Sequence, residues 1–280
     1  MSLDQLKIED HSRDSANMRY VYPVISRRAG GVSVGINLNP NNACNWRCIY
    51  CQVPDLVRGG PPPVDLGLLE YELVTFLESV RTGDFMSSRV SKGMRIVDVA
   101  FSGNGEPTSA PEFPQAVELV KRVLRQFDLD RDVILRVITN GSLLDRKPVQ
   151  LGIKALGEAP GEVWFKLDAA TVSGLARINS TRSTPAAVAR RLATCIGLAP
   201  TWVQTCMFSV DGVLPETVEL EAYLTLLAPL APSLAGVHLY SLARQSLQKE
   251  APRLGRLDAA YLETAAERIR SLGLTVTVSP

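Results

Sequence analysis

The sequence predicts an α/β domain of six successive βα units around a parallel sheet, either curved into a partial barrel or flat and doubly wound. Two observations predict it. Short runs rich in Val, Ile and Leu alternate with helical patterns at a spacing of roughly 30 residues. Apolar residues make up 46% of the chain and charged residues 21%, a balance that supplies one globular core. Periodicity alone does not separate the curved sheet from the flat one. In both, chemistry gathers at the C-terminal ends of the strands.

A polar arm over residues 1–30 is expected to precede a core domain over residues 31–280. Residues 32–38 read as the first strand, followed by a loop with three cysteines and a Gly-Pro stretch at 58–63. Asp65 is placed to cap a helix whose Leu66, Leu69, Leu73, Phe76, Leu77 and Val80 form one apolar stripe. The pattern then repeats. Strands are expected at 96–101, 133–139, 163–167, 202–208 and 237–242. The helices between and after them fall at 114–127, 144–156 (interrupted near Pro148), 185–196, 215–227 and 258–272. Gly273 sits where a helix C-terminus favours glycine, and a short apolar segment, 274–278, follows.

The 30 basic and 29 acidic residues leave a net charge of +1, which gives no global attraction for nucleic acid or anionic membrane. Composition does not reveal whether a local basic surface exists. No apolar run reaches the roughly 18 residues of a membrane span. The polar N-terminus lacks the apolar stretch of a signal peptide. A soluble, cytoplasmic protein without a membrane partner is expected.

Three of the five cysteines, Cys44, Cys48 and Cys51, fall within eight residues. A chain of this size does not need disulfides to hold its core, so clustered thiols point to a metal or redox site. A structural zinc site wants four ligands in paired motifs. A catalytic zinc could use three, with His11, His238, Cys195 or Cys206 as a further ligand. An electron-transfer cubane wants four cysteines. Three thiolates on a [4Fe–4S] cluster would instead leave one iron open to a small molecule.

Other polar residues stand at predicted strand ends. Gly103 and Gly105 would let a ligand approach the backbone, with Glu106 beside them to accept from an ammonium group. A plain turn explains the same residues. Thr139 and Asn140 precede Gly141 in what is also a common Asn-Gly turn. Lys166 and Asp168 share one face of a strand, as ligand contacts or as a structural ion pair. Gln204 and Cys206 share a face of the next strand, and His238 and Tyr240 a face of the one after it.

The Cys-x3-Cys-x2-Cys spacing, with Tyr50 directly before the last cysteine, resembles the signature of the radical S-adenosylmethionine (radical SAM) superfamily. Residues 26–28, 35–38, 102–108, 139–141, 177–179 and 239–244 extend the resemblance over roughly residues 20–250. Together they look like a subgroup distantly similar to the wyosine-forming tRNA enzymes. The resemblance implies a partial (β/α)6 barrel of parallel strands. It implies a [4Fe–4S] cluster on Cys44, Cys48 and Cys51, with S-adenosyl-L-methionine (SAM) on the open iron. One electron from the cluster would break the C5′–S bond, and the resulting 5′-deoxyadenosyl radical would take hydrogen from the substrate. Gly103, Gly105 and Glu106 would hold the SAM amino group, with Thr139 and Asn140 beside it. Lys166 and Asp168 would lie near ribose and carboxylate, Gln204 near adenine, and Tyr50 against the base. A flavodoxin or ferredoxin would supply the electron.

The substrate is not legible. Cys206, His238 and Tyr240 are candidate catalytic residues, and Arg27, Arg28 and Arg244 could bind a carboxylate or phosphate. His11 with Asp14 in the arm could form a lid. Small molecule, peptide and partner protein all remain as substrates. The alternatives to hydrogen abstraction from a small molecule are activation of a glycyl-radical enzyme, tRNA modification, and SAM or cluster binding without catalysis. Wyosine-forming enzymes carry a second cluster on N-terminal cysteines, and residues 1–43 contain none.

Overall fold

The computed structural model describes Leu6, residues 16–26 and residues 28–280. One eight-stranded sheet organises them. Its strands are β1 (Val21–Ser26), β2 (Gly31–Ile36), β3 (Ile96–Phe101), β4 (Ile134–Thr139), β5 (Gly161–Lys166), β6 (Thr201–Cys206), β7 (Gly236–Tyr240) and β8 (Val276–Ser279). They lie side by side in chain order. β1 runs antiparallel to β2, and every later pair is parallel. A doubly wound sheet reverses its strand order at a switch point, and this one never does. With right-handed crossovers, unbroken order puts every connecting helix on one face, and the sheet curls into a partial barrel.

The helices are α1 (Leu66–Arg81), α2 (Asp84–Arg89), α3 (Phe113–Gln126), α4 (Lys147–Gly157), α5 (Val172–Asn179), α6 (Pro185–Ile196), α7 (Thr217–Leu227) and α8 (Ala259–Arg270). Their starts follow from capping chemistry. Asp65 accepts from the Leu68 amide at 2.9 Å, and Asp258 accepts from the Tyr261 amide at 2.7 Å. Pro148 does not interrupt α4, as the sequence suggested. It lies in the first turn, where a missing N–H costs nothing. Gly273 has a φ of +81° after α8, the left-handed conformation expected there.

Alternation along the strands divides the sheet into two unlike faces. Val34, Ile36, Val99, Val137, Val163 and Val203 point outward into a continuous apolar core with Leu69 and Leu73 of α1, Val120 of α3 and Ile153 of α4. The residues between them point inward and are largely polar, among them Ser33, Asp98, Arg136 and Gln204. A closed barrel fills its interior with branched apolar side chains. This sheet keeps its concave face for something else.

Helix α2 and three further elements lie outside the sequence expectation. Residues 21–26 pair with β2 as an edge strand, so the sheet begins inside the segment read as an arm. Pro23 disguises it, and an edge strand tolerates proline. Residues 276–279 extend the sheet beside β7. Helix α5 is short and was hidden in a loop.

The chain enters β1 through one side chain of α1. The buried Glu72 carboxylate accepts from the amides of Arg19 at 2.8 Å, Tyr20 at 2.8 Å and Val21 at 3.3 Å. Replacing Glu72 by Leu strands these donors and is expected to lower stability by about 2–3 kcal/mol in urea unfolding. A loss below about 0.5 kcal/mol would show that the amides find other partners.

Candidate functional site

The cysteine loop leaves β2 and folds on its own polar side chains. Asn39 donates to the Ala43 carbonyl at 2.9 Å, Asn42 donates to the Pro54 carbonyl at 3.0 Å, and residues 43–44 pair with 57–58. All five cysteines are free; Cys44, Cys48 and Cys51 are half-buried, and Cys195 and Cys206 are buried. The loop is then clamped from outside. The amides of Arg47 and Ile49 donate to the carbonyls of Asn179 and Ile178 at 3.2 and 2.9 Å. Ser246 donates to the Ile49 carbonyl at 2.8 Å, and Gln248 to the Val53 carbonyl at 3.0 Å. Arg47 pairs with Glu250 at 3.3 Å. Asn45 joins the end of β4, donating to Ser142 at 2.8 Å and accepting from Asn140 at 2.9 Å.

One buried carboxylate ties this loop to the sheet. Asp168, just past β5, accepts from the Tyr50 hydroxyl at 2.6 Å, from Asn179 at 2.9 Å and from the Cys206 amide at 3.1 Å. Asn179 also donates to the Cys48 sulfur at 3.2 Å. No Lys166–Asp168 ion pair forms among the described residues. Lys166 instead lies over the Tyr50 ring, 5.2 Å from its centroid. Burial alone would lower its pKa, but Tyr240, Asp168, Cys48 and Cys206 around it raise it further. It is a fixed cation beside the thiols.

A cavity of about 280 Å3 in the mouth of the barrel collects the predicted residues, including Cys44, Cys48, Cys51, Glu106, Lys166 and Gln204. Tyr50, Gly103, Gly105 and Asn140 also reach it. Burial pushes the Cys44 thiol up to about 11 and raises Cys48 as well, so metal binding at this loop must displace protons. Among the described residues, no group of three His, Cys, Asp or Glu side chains is arranged to hold a single metal ion. A cubane takes each thiolate on a different iron, so its three sulfurs need not converge on one point.

The Gly103–Glu106 turn closes against the cysteine loop. A Cβ at Gly103 would strike Asn37, and one at Gly105 would strike Asn39 and the Ala43 carbonyl. These glycines let the turn pack against the cysteine loop. Glu106 is fully buried, which raises its pKa against the effect of its donors. Its Oε1 accepts from the Thr108 and Thr139 hydroxyls at 2.6 Å each, and its Oε2 accepts from the Asn140 amide at 2.7 Å. The carboxylate thus stitches the ends of β3 and β4 together while facing the cavity.

Two of the predicted contacts, Thr139 and Asp168, stand behind the cavity wall. Thr139 spends its hydroxyl proton on Glu106, and Asp168 spends its oxygens on Tyr50, Asn179 and Cys206. Both position other groups. Gln204 is the reverse case. It is 1% exposed and lines the cavity, and its Nε2 has no hydrogen-bond partner. A buried amide in that state lacks an acceptor that a ligand can supply.

Of the candidate catalytic residues, Cys206 and Tyr240 line the cavity, and burial raises both, Tyr240 to about 12. His238 does not reach it. Its ring stacks on Trp202 at 4.5 Å and tilts against Trp164 at 4.5 Å, with Nδ1 bonded to Thr277 at 2.6 Å. Cys195 is packed, accepting from Thr201 at 3.5 Å. Arg28 and Arg244 line the cavity. His11, Asp14 and Arg27 lie outside the described residues.

Sequence reasoning missed a buried polar network below the thiols. Arg136 contacts Asp98 and pairs with Glu162 at 2.6 Å, with its guanidinium 4.1 Å from the Trp164 ring centroid. The signal was present: Asp98 and Arg136 each interrupt an apolar strand at an inward position.

No family model matches the chain. A radical SAM methyltransferase from Sphaerobacter thermophilus is similar in structure over 92% of this chain and 68% of its own, with a TM-score of 0.57 at 17% identity. The fold is the radical SAM partial barrel. A second structure, a histidine-tagged anSMEcpe with bound AdoMet, has a TM-score of 0.50 at 14% identity over 78% of this chain and 55% of that one. By sequence, the chain is 27% identical over 128 residues to a GTPase Obg of Brachyspira hyodysenteriae. It is 29% identical over 130 residues to the UPF0026 protein MJ1312 of Methanocaldococcus jannaschii. Each match covers 46% of this chain but only 16% and 35% of those proteins. Among the described residues no helix is long and apolar enough to cross a membrane.

The packing of His238 has a measurable consequence. Burial, with Arg28 and Arg136 nearby, lowers its pKa from 6.5 to about 4. Between those values the unfolded chain binds a proton that the folded chain refuses, so stability is lost as pH falls through this window. Wild type is expected to lose about 2–3 kcal/mol more than His238→Gln between pH 7 and pH 4.5, by urea unfolding at each pH. Equal losses would place the His238 ring in contact with water.

Proposed function

We propose that this chain is a radical SAM enzyme that abstracts hydrogen from its substrate. The supporting observation is the cavity itself. Three free thiols on one loop, a fixed lysine and a buried amide without an acceptor face one space at the C-terminal ends of parallel strands. Cys44, Cys48 and Cys51 would hold a [4Fe–4S] cluster, which when loaded supplies the electron that cleaves SAM to the hydrogen-abstracting 5′-deoxyadenosyl radical.

The chain's own residues do the binding and orienting. Asn179 donates to the Cys48 sulfur and keeps that side chain in place. Lys166 brings positive charge next to thiolates that burial disfavours. The Gly103–Glu106 turn and Asn140 would receive the SAM amino group, and Gln204 would donate to the adenine or ribose. Cys206 and Tyr240 face the region where substrate would meet them. A flavodoxin or ferredoxin type reductant would supply the electron. The inward-facing polar residues favour a substrate that enters the barrel over a protein loop docked at its rim, which an activase would need.

Anaerobic reconstitution followed by SAM and dithionite tests the reading. Wild type is expected to form 5′-deoxyadenosine, detected by mass spectrometry, and the variant with Cys44, Cys48 and Cys51 all replaced by Ala to form none. Equal amounts from both would refute the assignment. Gln204→Leu is expected to keep its iron and weaken SAM binding about tenfold, the loss of one hydrogen bond to a buried donor. Unchanged affinity would remove Gln204 from the SAM site.

A further inference from the structure

Below the thiols, the barrel interior carries one cation more tightly enclosed than its partners explain. Arg28 belongs to the turn between β1 and β2. The Gly30 amide donates to the Ser26 carbonyl at 2.9 Å, and the Ala29 amide to the Ser26 hydroxyl at 3.1 Å. Gly30 has a φ of +79°, which closes the turn. From there the side chain crosses the chamber. Its guanidinium lies 4.4 Å from the ring centroid of Tyr240 on β7 and 5.6 Å from that of Trp164 on β5.

The two arginines of the chamber differ in their surroundings. Arg136 has Asp98 and Glu162 against it. Arg28 has no ion-pair partner among the described residues, and its Nη1 is buried with no hydrogen-bond partner. Its charge is felt by its neighbours, lowering the pKa of both His238 and Arg136. A guanidinium held over aromatic faces, with a buried N–H unmet, is a fork set for a planar or tetrahedral oxyanion. The hydroxyl residues Ser26, Ser33 and Ser279 line the same cavity.

We propose that Arg28 anchors an oxyanion, a carboxylate or a phosphate, carried by the substrate. Substrate specificity then resides in a side chain that the turn between the first two strands sends across the cavity to Tyr240. That the anion belongs to the substrate rests on the radical SAM reading, while the anion site itself does not. The aromatic walls fix the guanidinium plane, so lysine does not replace arginine there. Arg136 stays committed to Asp98 and Glu162, and it shapes the pocket without taking the anion.

The test uses cluster-loaded protein with saturating SAM. Thermal midpoints are measured against inorganic phosphate and, separately, acetate, with chloride at equal ionic strength as the control. A ligand that binds only the folded state raises the midpoint in a saturable way. Wild type is expected to respond saturably to at least one of the two anions. Phosphate alone points to a phosphorylated substrate, and acetate alone to a carboxylic acid. Arg28→Gln is expected to weaken that anion at least tenfold and Arg28→Lys to fall between. SAM affinity, measured by equilibrium dialysis, should stay within twofold in both variants, which also shows that they fold. Equal anion response in wild type and Arg28→Gln, or no saturable response in wild type, overturns the proposal. So does a loss of SAM affinity in Arg28→Gln with wild type intact, because Arg28 would then hold the SAM carboxylate. Wild-type protein that binds the anion through Arg28 but never binds SAM would keep the anion site and refute the radical SAM reading instead.

Discussion

The site depends on the Asp168 carboxylate. It is buried at the end of a central strand, where an unpaired charge would be costly. Three donors from three separate elements satisfy it: the cysteine loop through Tyr50, helix α5 through Asn179, and the end of β6 through the Cys206 amide. Each is a hydrogen bond to a charged group, worth roughly 1.5–3 kcal/mol. A loop with little regular structure thereby acquires one position relative to the sheet. The thiols, the lysine over Tyr50 and the cavity between them follow from that position. Glu106 does the same for the ends of β3 and β4.

The two faces of the sheet divide the work. The convex face is apolar and is covered by helices, so stability comes from that side. The concave face is free to be polar because it contributes little to the core. It is arranged in two levels. Near the strand ends stand the thiols, Glu106, Lys166 and Gln204. Deeper in the barrel stand Asp98, Arg136, Trp164 and the crossing Arg28. A ligand spanning both levels would be gripped at the upper one and recognised at the lower one.

The fold was legible because its signals are local. Apolar periodicity and the capping residue Asp65 placed six of the seven parallel strands and most helices within a few residues. The choice between curved and flat sheet was not local, since it depends on strand order. The edge strand with Pro23 and the closing strand β8 were missed because short edge segments carry weak patterns. At the site, the cysteine spacing identified the loop. Thr139 and Asp168 were found as important residues, but their partners within the chain, Glu106 for one and Tyr50, Asn179 and the Cys206 amide for the other, were not legible, because sequence shows that a polar residue stands at a strand end and not which way its hydrogen bonds run. Asn179 lay in a marked segment without a role, and its two bonds, to Cys48 and Asp168, exist only in three dimensions.

The central claim is that the clamped cysteine loop and the polar mouth of the barrel form one site for a cluster and SAM. Electron paramagnetic resonance of the reduced, reconstituted protein with and without SAM tests this most directly. The account predicts a cubane signal whose shape changes when SAM is added, because SAM would bind at the iron that no cysteine holds. A protein that assembles no cluster, or a signal that SAM leaves unchanged, would contradict it.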